Sequence, residues 1–197
     1  MSASFASELG VSVCILPHQF LTAIERDATA ELMIPANLLD FHCTFALSSM
    51  PNHWCLTGFD LRSKKIYYLD PQAKPLSEMA WAHISLIRRI VWIHILGNEV
   101  SSDEQIDSTD WNVVTSNNFS QFHTFALPLQ IHGSDCGIFC VLYAWYIMEC
   151  SYMDFTISDM VHSRQWFLKQ LFMCCVTSTF QLVIEKQCEW FLMATIR

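Results

Sequence analysis

The sequence is poor in glycine, proline and basic residues, and these shortages exclude several classes of protein. Only 5 glycines and 6 prolines occur among 197 residues, which excludes a fibrous or low-complexity chain. Hydrophobic residues make up 52% and charged residues 15%, which excludes an intrinsically disordered chain. The chain has a net charge of -8 and therefore lacks the basic character that DNA or RNA binding requires. We therefore expect a single globular domain spanning 1–197 that is long enough to bury a core.

The patterns typical of zinc sites, secretion and membrane insertion are also missing. The nine cysteines include no C-x-x-C pair, so we expect no metal, no cofactor, and reduced thiols in the nucleus or cytoplasm. The N-terminal residues form neither the basic nor the apolar region of a signal peptide. The apolar run at 137–150 is too short for a membrane-spanning helix. We expect neither nucleic acid nor a membrane as partner, and a monomeric protein.

Hydrophobic periodicity predicts an α+β domain with strands and helices in mixed order. The clearest element is a hairpin, in which strands at 53–61 and 66–70 are joined by a turn at 62–64. Ser77 is the expected N-cap of a helix that Gly97 ends. Further strands are predicted at 43–48, 111–115 and 124–127, and helices at 18–32, 77–96, 136–150 and 158–175.

Cys136 lies at the predicted start of an apolar helix, within the sequence G-S-D-C-G at 133–137. The flanking glycines allow the backbone to enter the helix sharply. At a helix N-terminus, the macrodipole and the unpaired N–H groups stabilise a thiolate. The alternative is an ordinary buried cysteine, as we expect for Cys140 one turn later.

The predicted hairpin brings His53 and Asp70 together. A turn at 62–64 pairs residues whose numbers sum to about 125–127, so Asp70 faces residues 55–57, one diagonal step from His53. Asp60 is the competing carboxylate, but it lies beside the turn and is interpreted as part of it. The alternative for His53 is a structural histidine on a strand.

These residues match the requirements of a nucleophilic cysteine. Such a residue needs a base, a group that orients the base, and donors to the developing oxyanion. His53 would be the base and Asp70 the orienting group. Gln130, six residues before Cys136, would donate to the oxyanion together with the backbone N–H of Cys136. A polar loop residue is the alternative for Gln130.

Taken together, the motifs resemble the Ulp/sentrin-specific (SUMO) protease family of cysteine peptidases. N-H-W at 52–54, Y-L-D at 68–70 and Q-x-x-G-x-D-C-G at 130–137 agree with the family in order and spacing. The resemblance covers about 43–175 and leaves 176–197 as an unassigned tail. It implies a papain-like cysteine-protease fold of the Ulp type, a central mixed sheet flanked by helices with the nucleophile at the N-terminus of a buried helix.

The same resemblance implies a function and further site residues. The family cleaves after the diglycine of SUMO or another ubiquitin-like modifier, in deconjugation or precursor processing, without a cofactor. Trp54 would line the tunnel that admits the diglycine tail, with a plain core tryptophan as the alternative. Asp135 would orient the loop before the nucleophile or cap the helix. Since 52 residues precede His53, the resemblance implies a divergent or N-terminally shortened member.

Two other functions remain open from the sequence. One is a catalytically inactive modifier-binding domain that keeps the protease fold. The other is an acyltransferase with the same His–acid–Cys chemistry. The presence of all four residues, His53, Asp70, Gln130 and Cys136, favours the peptidase, because a binding domain does not need them.

Overall fold

Five strands form one mixed sheet, and their order in the sheet follows their order in the chain. The computed structural model describes residues 11–17, 21, 38–92, 111–131 and 133–176. Two outer pairings, β1 with β2 and β4 with β5, are parallel, and the two inner pairings are antiparallel. The strands are β1 (Val13–Leu16), β2 (Cys43–Met50), β3 (His53–Asp60), β4 (Lys65–Leu69) and β5 (Asn112–Thr115).

The β3–β4 hairpin has the predicted register. Leu56 pairs with Leu69, so the numbers of paired residues sum to 125. In the turn, Asp60 accepts hydrogen bonds from the backbone N–H of Arg62 at 2.9 Å and from its Nε at 3.0 Å. Asp60 therefore belongs to the turn, as predicted, and leaves Asp70 as the carboxylate near His53.

Helices flank the sheet in the described part of the chain. Ser77 is the N-cap of the first one, as predicted, and its hydroxyl accepts from the N–H of Ala80 at 3.2 Å. The predicted stop at Gly97 lies outside the described residues. The helices are α1 (Glu78–Ile90), α2 (Phe119–Phe122), α3 (Cys136–Met148) and α4 (Met160–Val176), with short 3₁₀ helices at Leu38–Asp40 and Ile157–Asp159.

The structure differs from the sequence prediction at one predicted strand and at one strand that was not predicted. The strand predicted at 124–127 is wrong: this segment has no regular structure, and Phe125 packs edge-on against Phe119 with ring centroids 5.7 Å apart. Strand β1 was not predicted, because its parallel partner lies about 30 residues away in sequence and a four-residue strand carries little periodicity. The helix predicted at 18–32 lies outside the described residues, apart from Leu21.

Both faces of the sheet are covered by helices. The apolar helix α3 is buried because the sheet covers one side of it and α4 packs beside it. Helix α1 packs on the opposite face, against the side chains of β3 and β4 that point away from α3. The core on the α3 face includes Phe45, Leu56, Leu69, Phe139 and Tyr143, and that on the α1 face includes Phe59, Ile66, Tyr68, Ile84 and Ile87.

None of the helices in the described ranges is long and apolar enough to cross a membrane.

Candidate active site

The first residue of β3 and the residue that follows β4 meet at one end of the sheet. His53 Nε2 lies 2.6 Å from Oδ1 of Asp70, and both side chains are buried. The Asp70 carboxylate also accepts from the backbone N–H of Gln72 at 2.7 Å and from that of Lys74 at 3.3 Å. These bonds hold the carboxylate against the imidazole and leave Nδ1 as the ring nitrogen that can exchange a proton with a nucleophile.

A serine that the sequence analysis missed fixes the backbone of Asp70. Ser116 follows the last residue of β5, and its hydroxyl accepts from the N–H of Asp70 at 2.7 Å and donates to the Asp70 carbonyl at 2.8 Å. The contact depends on the parallel pairing of β4 with β5. A local sequence pattern does not reveal that pairing, because the two strands are far apart in the chain.

Cys136 is the first residue of α3, as predicted. Its side chain is buried and lies close enough to His53 to raise the pKa of the imidazole. Backbone N–H groups of Trp54 and Gly137 also hydrogen-bond the sulfur. The structure therefore brings the three residues of the predicted triad together, with the cysteine on one side of the imidazole and Asp70 on the other.

The surroundings of these groups favour a thiolate–imidazolium pair. Burial raises the pKa of Cys136, but hydrogen bonds from His53 and Trp54 outweigh it and hold the pKa below its ordinary value. Hydrogen bonds to Asp70 and then to Cys136 raise the pKa of His53 to about 11. Burial also raises the pKa of Asp70, yet its hydrogen bond to His53 makes the net change downward. Each net change stabilises the charged form of the group.

Cys140 provides an internal contrast with Cys136. It is fully buried inside α3, and its thiol donates to the carbonyl oxygen of Trp54 at 3.4 Å. Burial holds the pKa of this thiol well above its ordinary value. Cys140 is therefore a core cysteine, as predicted, and a poor nucleophile.

Gln130 connects the loop of Asp70 to the loop before Cys136. Its backbone N–H donates to the carbonyl of Pro71 at 2.7 Å, and its side-chain Nε2 donates to the carbonyl of Gly133 at 2.6 Å. Gly133 has a φ of 81°, a conformation that favours glycine. An amide NH₂ group has two N–H bonds, so Nε2 can serve an oxyanion while it holds this loop.

Asp135 orients the loop before Cys136 and does not cap α3. Its side chain makes no capping hydrogen bond. Instead the carboxylate accepts from Nε of Arg164, on α4, at 3.0 Å, and Nη2 of Arg164 also lies 3.4 Å from the carbonyl oxygen of Ser134. No sequence pattern pointed to Arg164, because the contact joins residues 29 positions apart on different elements.

A model of one protein family matches most of the chain. The family model described as the Ulp1 protease family, C-terminal catalytic domain, matches residues 26–175. The chain belongs to the Ulp1 protease family. Sentrin-specific protease 2 of Rattus norvegicus is 27% identical over 124 residues, which cover 63% of this chain and 19% of that protein. The chain thus spans about a fifth of the length of this curated relative.

Solved structures of the Ulp1 family share the fold. The SUMO protease Ulp1 with its catalytic cysteine oxidised to a sulfenic acid matches with a TM-score of 0.58 and 17% identity, over 81% of this chain and 68% of that one. The C-terminal Ulp1 protease domain in complex with Smt3, the yeast ortholog of SUMO, matches with a TM-score of 0.53 and 17% identity, over 80% and 66%. The α+β fold of the Ulp type is therefore confirmed.

Trp54 in this Ulp1-family chain contacts both cysteines through its backbone. Its carbonyl accepts from Cys140, and its N–H lies at the sulfur of Cys136. Its side chain is partly buried and packs against the core on the α3 face. The Trp54 side chain is partly exposed beside the nucleophile and can therefore contact a substrate. Its role in a tunnel for the diglycine tail stays a prediction.

The ion pair between Asp135 and Arg164 is expected to act on turnover more than on stability. Arg164→Ala should lower kcat by up to about 10²-fold, because small displacements of a reacting group have effects of this size. The free energy of unfolding should fall by no more than about 1 kcal/mol, since the pair is partly exposed. Steady-state kinetics and urea unfolding measure the two effects.

Arg164→Lys is the matched control for that experiment. Lysine keeps the charge but loses the fork of donors that reaches both Asp135 and Ser134, so kcat should recover only in part. An unchanged kcat in Arg164→Ala would show that the loop holds its position without this contact.

Proposed function

We propose that this chain is a cysteine peptidase that cleaves after the diglycine of SUMO or a related ubiquitin-like modifier. The observation that carries the proposal is the contact of His53 with both Asp70 and Cys136, with the cysteine at the N-terminus of α3. Membership of the Ulp1 protease family supports the same reaction.

In the acylation step, Cys136 attacks as the thiolate. Its sulfur forms a bond to the carbonyl carbon of the terminal glycine, and the carbonyl oxygen becomes an oxyanion. The N–H of Cys136 would donate to this oxygen, since the first N–H groups of a helix have no acceptor within the helix. Gln130 supplies the second donor. The His53 imidazolium then gives its proton to the leaving amine, which departs and leaves a thioester.

In the deacylation step, His53 acts as the base. It takes a proton from a water molecule, whose oxygen attacks the thioester carbonyl, and the same donors stabilise the second oxyanion. Collapse releases the modifier with a free carboxylate and restores the thiolate and the imidazolium. Asp70 stays ionised throughout and stabilises the imidazolium by its 2.6 Å hydrogen bond.

Two observations bear on the substrate. A relative is named as a sentrin-specific protease, and a structural neighbour is bound to the yeast ortholog of SUMO. The partly buried Trp54, next to His53 in β3, would restrict the site to a tail without side chains. A diglycine is the tail that fits such a restriction best.

A catalytically inactive modifier-binding domain is the second candidate. It would bind the same modifier without turnover. The lowered pKa of Cys136 and the raised pKa of His53 disfavour it, because a docking domain gains nothing from a stabilised thiolate. An acyltransferase is disfavoured by membership of a protease family.

Cleavage of fluorogenic modifiers tests the proposal. SUMO carrying a C-terminal fluorophore should be hydrolysed, whereas the same substrate with its last two glycines changed to alanine should not. Ubiquitin with the same fluorophore is the control for modifier choice. Binding of SUMO without any release of fluorophore would favour the docking domain instead.

The pH dependence of turnover should be broad and should depend on Asp70. The lowered pKa of Cys136 places loss of the thiolate at low pH, and the His53 pKa of about 11 places loss of the imidazolium at high pH. Because Cys136 and His53 titrate together, the acidic and basic limbs of the pH profile belong to the pair and not to either residue alone. Asp70→Asn removes the largest influence that raises the His53 pKa, so the basic limb of kcat/KM should move to lower pH.

Asp60→Asn is the control for this profile, because Asp60 is a buried carboxylate bonded to the turn and not to His53. It should leave the basic limb in place. A basic limb that stays at the same pH in Asp70→Asn would show that this carboxylate does not stabilise the imidazolium.

A further inference from the structure

A second cysteine lies in the catalytic centre, and the proposed reaction does not use it. Cys55 is two residues after His53 on β3, and its thiol is 1% exposed. Because side chains alternate along a strand, Cys55 points to the same face of the sheet as His53. Asp70 follows Leu69, the last residue of β4, which pairs with Leu56 of β3. Asp70 therefore lies opposite Cys55.

The three side chains form a cluster with the donor atoms that zinc prefers. A ring nitrogen of His53, the sulfur of Cys55 and a carboxylate oxygen of Asp70 all lie within 4.8 Å of one another. Zinc in proteins is bound by these three kinds of atom, at roughly 2.0–2.3 Å. No zinc motif marks the cluster in the sequence, because Asp70 is 15 residues from Cys55 and follows a different strand.

Movements of up to about 1.5 Å would bring the three donor atoms to the spacing of a tetrahedral zinc site. Donor atoms around tetrahedral zinc lie about 3.3–3.6 Å apart on these bond lengths, so the 2.6 Å bond between His53 and Asp70 would open by under about 1 Å. The sulfur of Cys55, which lies within 4.8 Å of the other two donor atoms, would approach them by at most about 1.5 Å. The N–H groups of Gln72 and Lys74 already hold the carboxylate of Asp70, as outer-sphere donors do at metal sites.

A cavity gives access to the cluster from the side away from the nucleophile. Its volume is about 180 Å³, and His53, Cys55 and Asp70 line it together with residues at the start of α1. Cys136 is not among its lining residues. The cavity can hold water, which would supply the fourth ligand. An ion would therefore reach the His53–Asp70 pair from the α1 face of the sheet.

We propose that His53, Cys55 and Asp70 form an inhibitory binding site for zinc or a similar thiophilic divalent cation. The ion takes the place of the proton between His53 Nε2 and Asp70 Oδ1, and the thiol of Cys55 loses its proton as well. Both protons pass to solvent. The thiolate and the carboxylate then neutralise the two charges of the ion.

An ion bound at this site prevents His53 and Asp70 from acting in the proposed reaction. The carboxylate of Asp70 then binds the ion and no longer stabilises the His53 imidazolium. Cys136 therefore loses the cation that keeps its thiolate ionised. This inhibitory consequence rests on the proposed peptidase function, whereas binding of the ion does not. In active protein, micromolar zinc should lower turnover, and a chelator should restore it.

Cobalt titration of Cys136→Ser protein tests the binding site directly. Cobalt(II) replaces zinc in such sites and gives a near-ultraviolet band when a thiolate binds it. We expect this band to saturate at a single ion per chain, although the nucleophile is absent. Because Cys136→Ser protein is inactive under the proposed function, a failure of this test is separate from a failure of that function.

Adding Cys55→Ser to the same background should remove the band. It should also weaken cobalt binding by more than roughly 10–100-fold, which is the effect of losing an outer-sphere partner and so a lower limit for losing a ligand. Adding Asp70→Asn should weaken it too, and this variant decides the question if Cys55→Ser fails to fold. Cys150→Ser is the matched control, because Cys150 is an exposed free cysteine and its loss should leave the band unchanged. A band that survives Cys55→Ser, or one that is already absent in Cys136→Ser, overturns the proposal.

Discussion

Replacing Cys136 by alanine is expected to abolish cleavage of the modifier. Loss of the nucleophile of a catalytic triad lowers kcat by about 10⁶-fold, and here no other described cysteine combines a helix N-terminus with a hydrogen bond to His53. Fold stability should change little, since alanine is a good helix former at the first position of α3. Release of fluorophore from the SUMO substrate measures the effect.

Cys140→Ala is the control for that variant. Cys140 is one turn away on the same helix and is fully buried, so its replacement perturbs packing at a cost of about 1 kcal/mol, typical of a point mutation. Its kcat should stay close to that of the unmodified chain. Equal losses of activity in the two variants would mean that the effect of Cys136→Ala comes from misfolding and not from the missing nucleophile.

Replacing Gln130 by alanine has the second largest expected effect. A donor to the oxyanion bonds most strongly as the tetrahedral intermediate forms, and loss of one such donor lowers kcat by about 10²–10³-fold. Affinity for intact SUMO should barely change, because the ground-state carbonyl gains little from the amide. Measuring kcat and modifier affinity on this variant therefore separates a peptidase from a docking domain.

The structure adds a control to this experiment. Gln130 also holds the loop before the nucleophile, through its 2.6 Å bond to the carbonyl of Gly133, so a fall in kcat could come from a displaced Cys136. Alkylation of Cys136 by iodoacetamide forms no oxyanion and reports only on the thiolate. An alkylation rate that stays unchanged while kcat falls assigns the loss to the missing donor. A parallel fall in both rates would assign it to the loop.

Features determined by neighbours in sequence were predicted well. The hairpin register follows from a short turn and fixes Asp70 beside His53. The cap at Ser77 and the start of α3 at Cys136 follow from residues within one helical turn. The choice of Cys136 over Cys140 also depended on local sequence, because only one of them precedes the helix interior.

Contacts between distant segments could not be predicted in the same way. Strand β1, Ser116 and Arg164 each depend on which elements become neighbours in space, and single-sequence periodicity does not contain that information. Hydrophobic and polar residues alternate weakly over 124–127, but this segment is not part of the sheet. Its Phe125 packs instead in an aromatic cluster, in which the rings of Phe119 and His123 stack 4.1 Å apart. Cys55 was overlooked because Asp70, which completes the cluster with His53, follows the neighbouring strand and not the strand that carries Cys55.

Reaction with a modifier that carries a C-terminal electrophile would identify the nucleophile and the modifier in one experiment. SUMO and other ubiquitin-like proteins ending in such a group are incubated with the purified chain, and the attached residue is located by mass spectrometry. We expect one covalent adduct on Cys136, formed with SUMO or a close relative. Its formation should be strongly slowed in His53→Ala. An adduct on another cysteine, or none from folded protein with any modifier, would contradict this expectation.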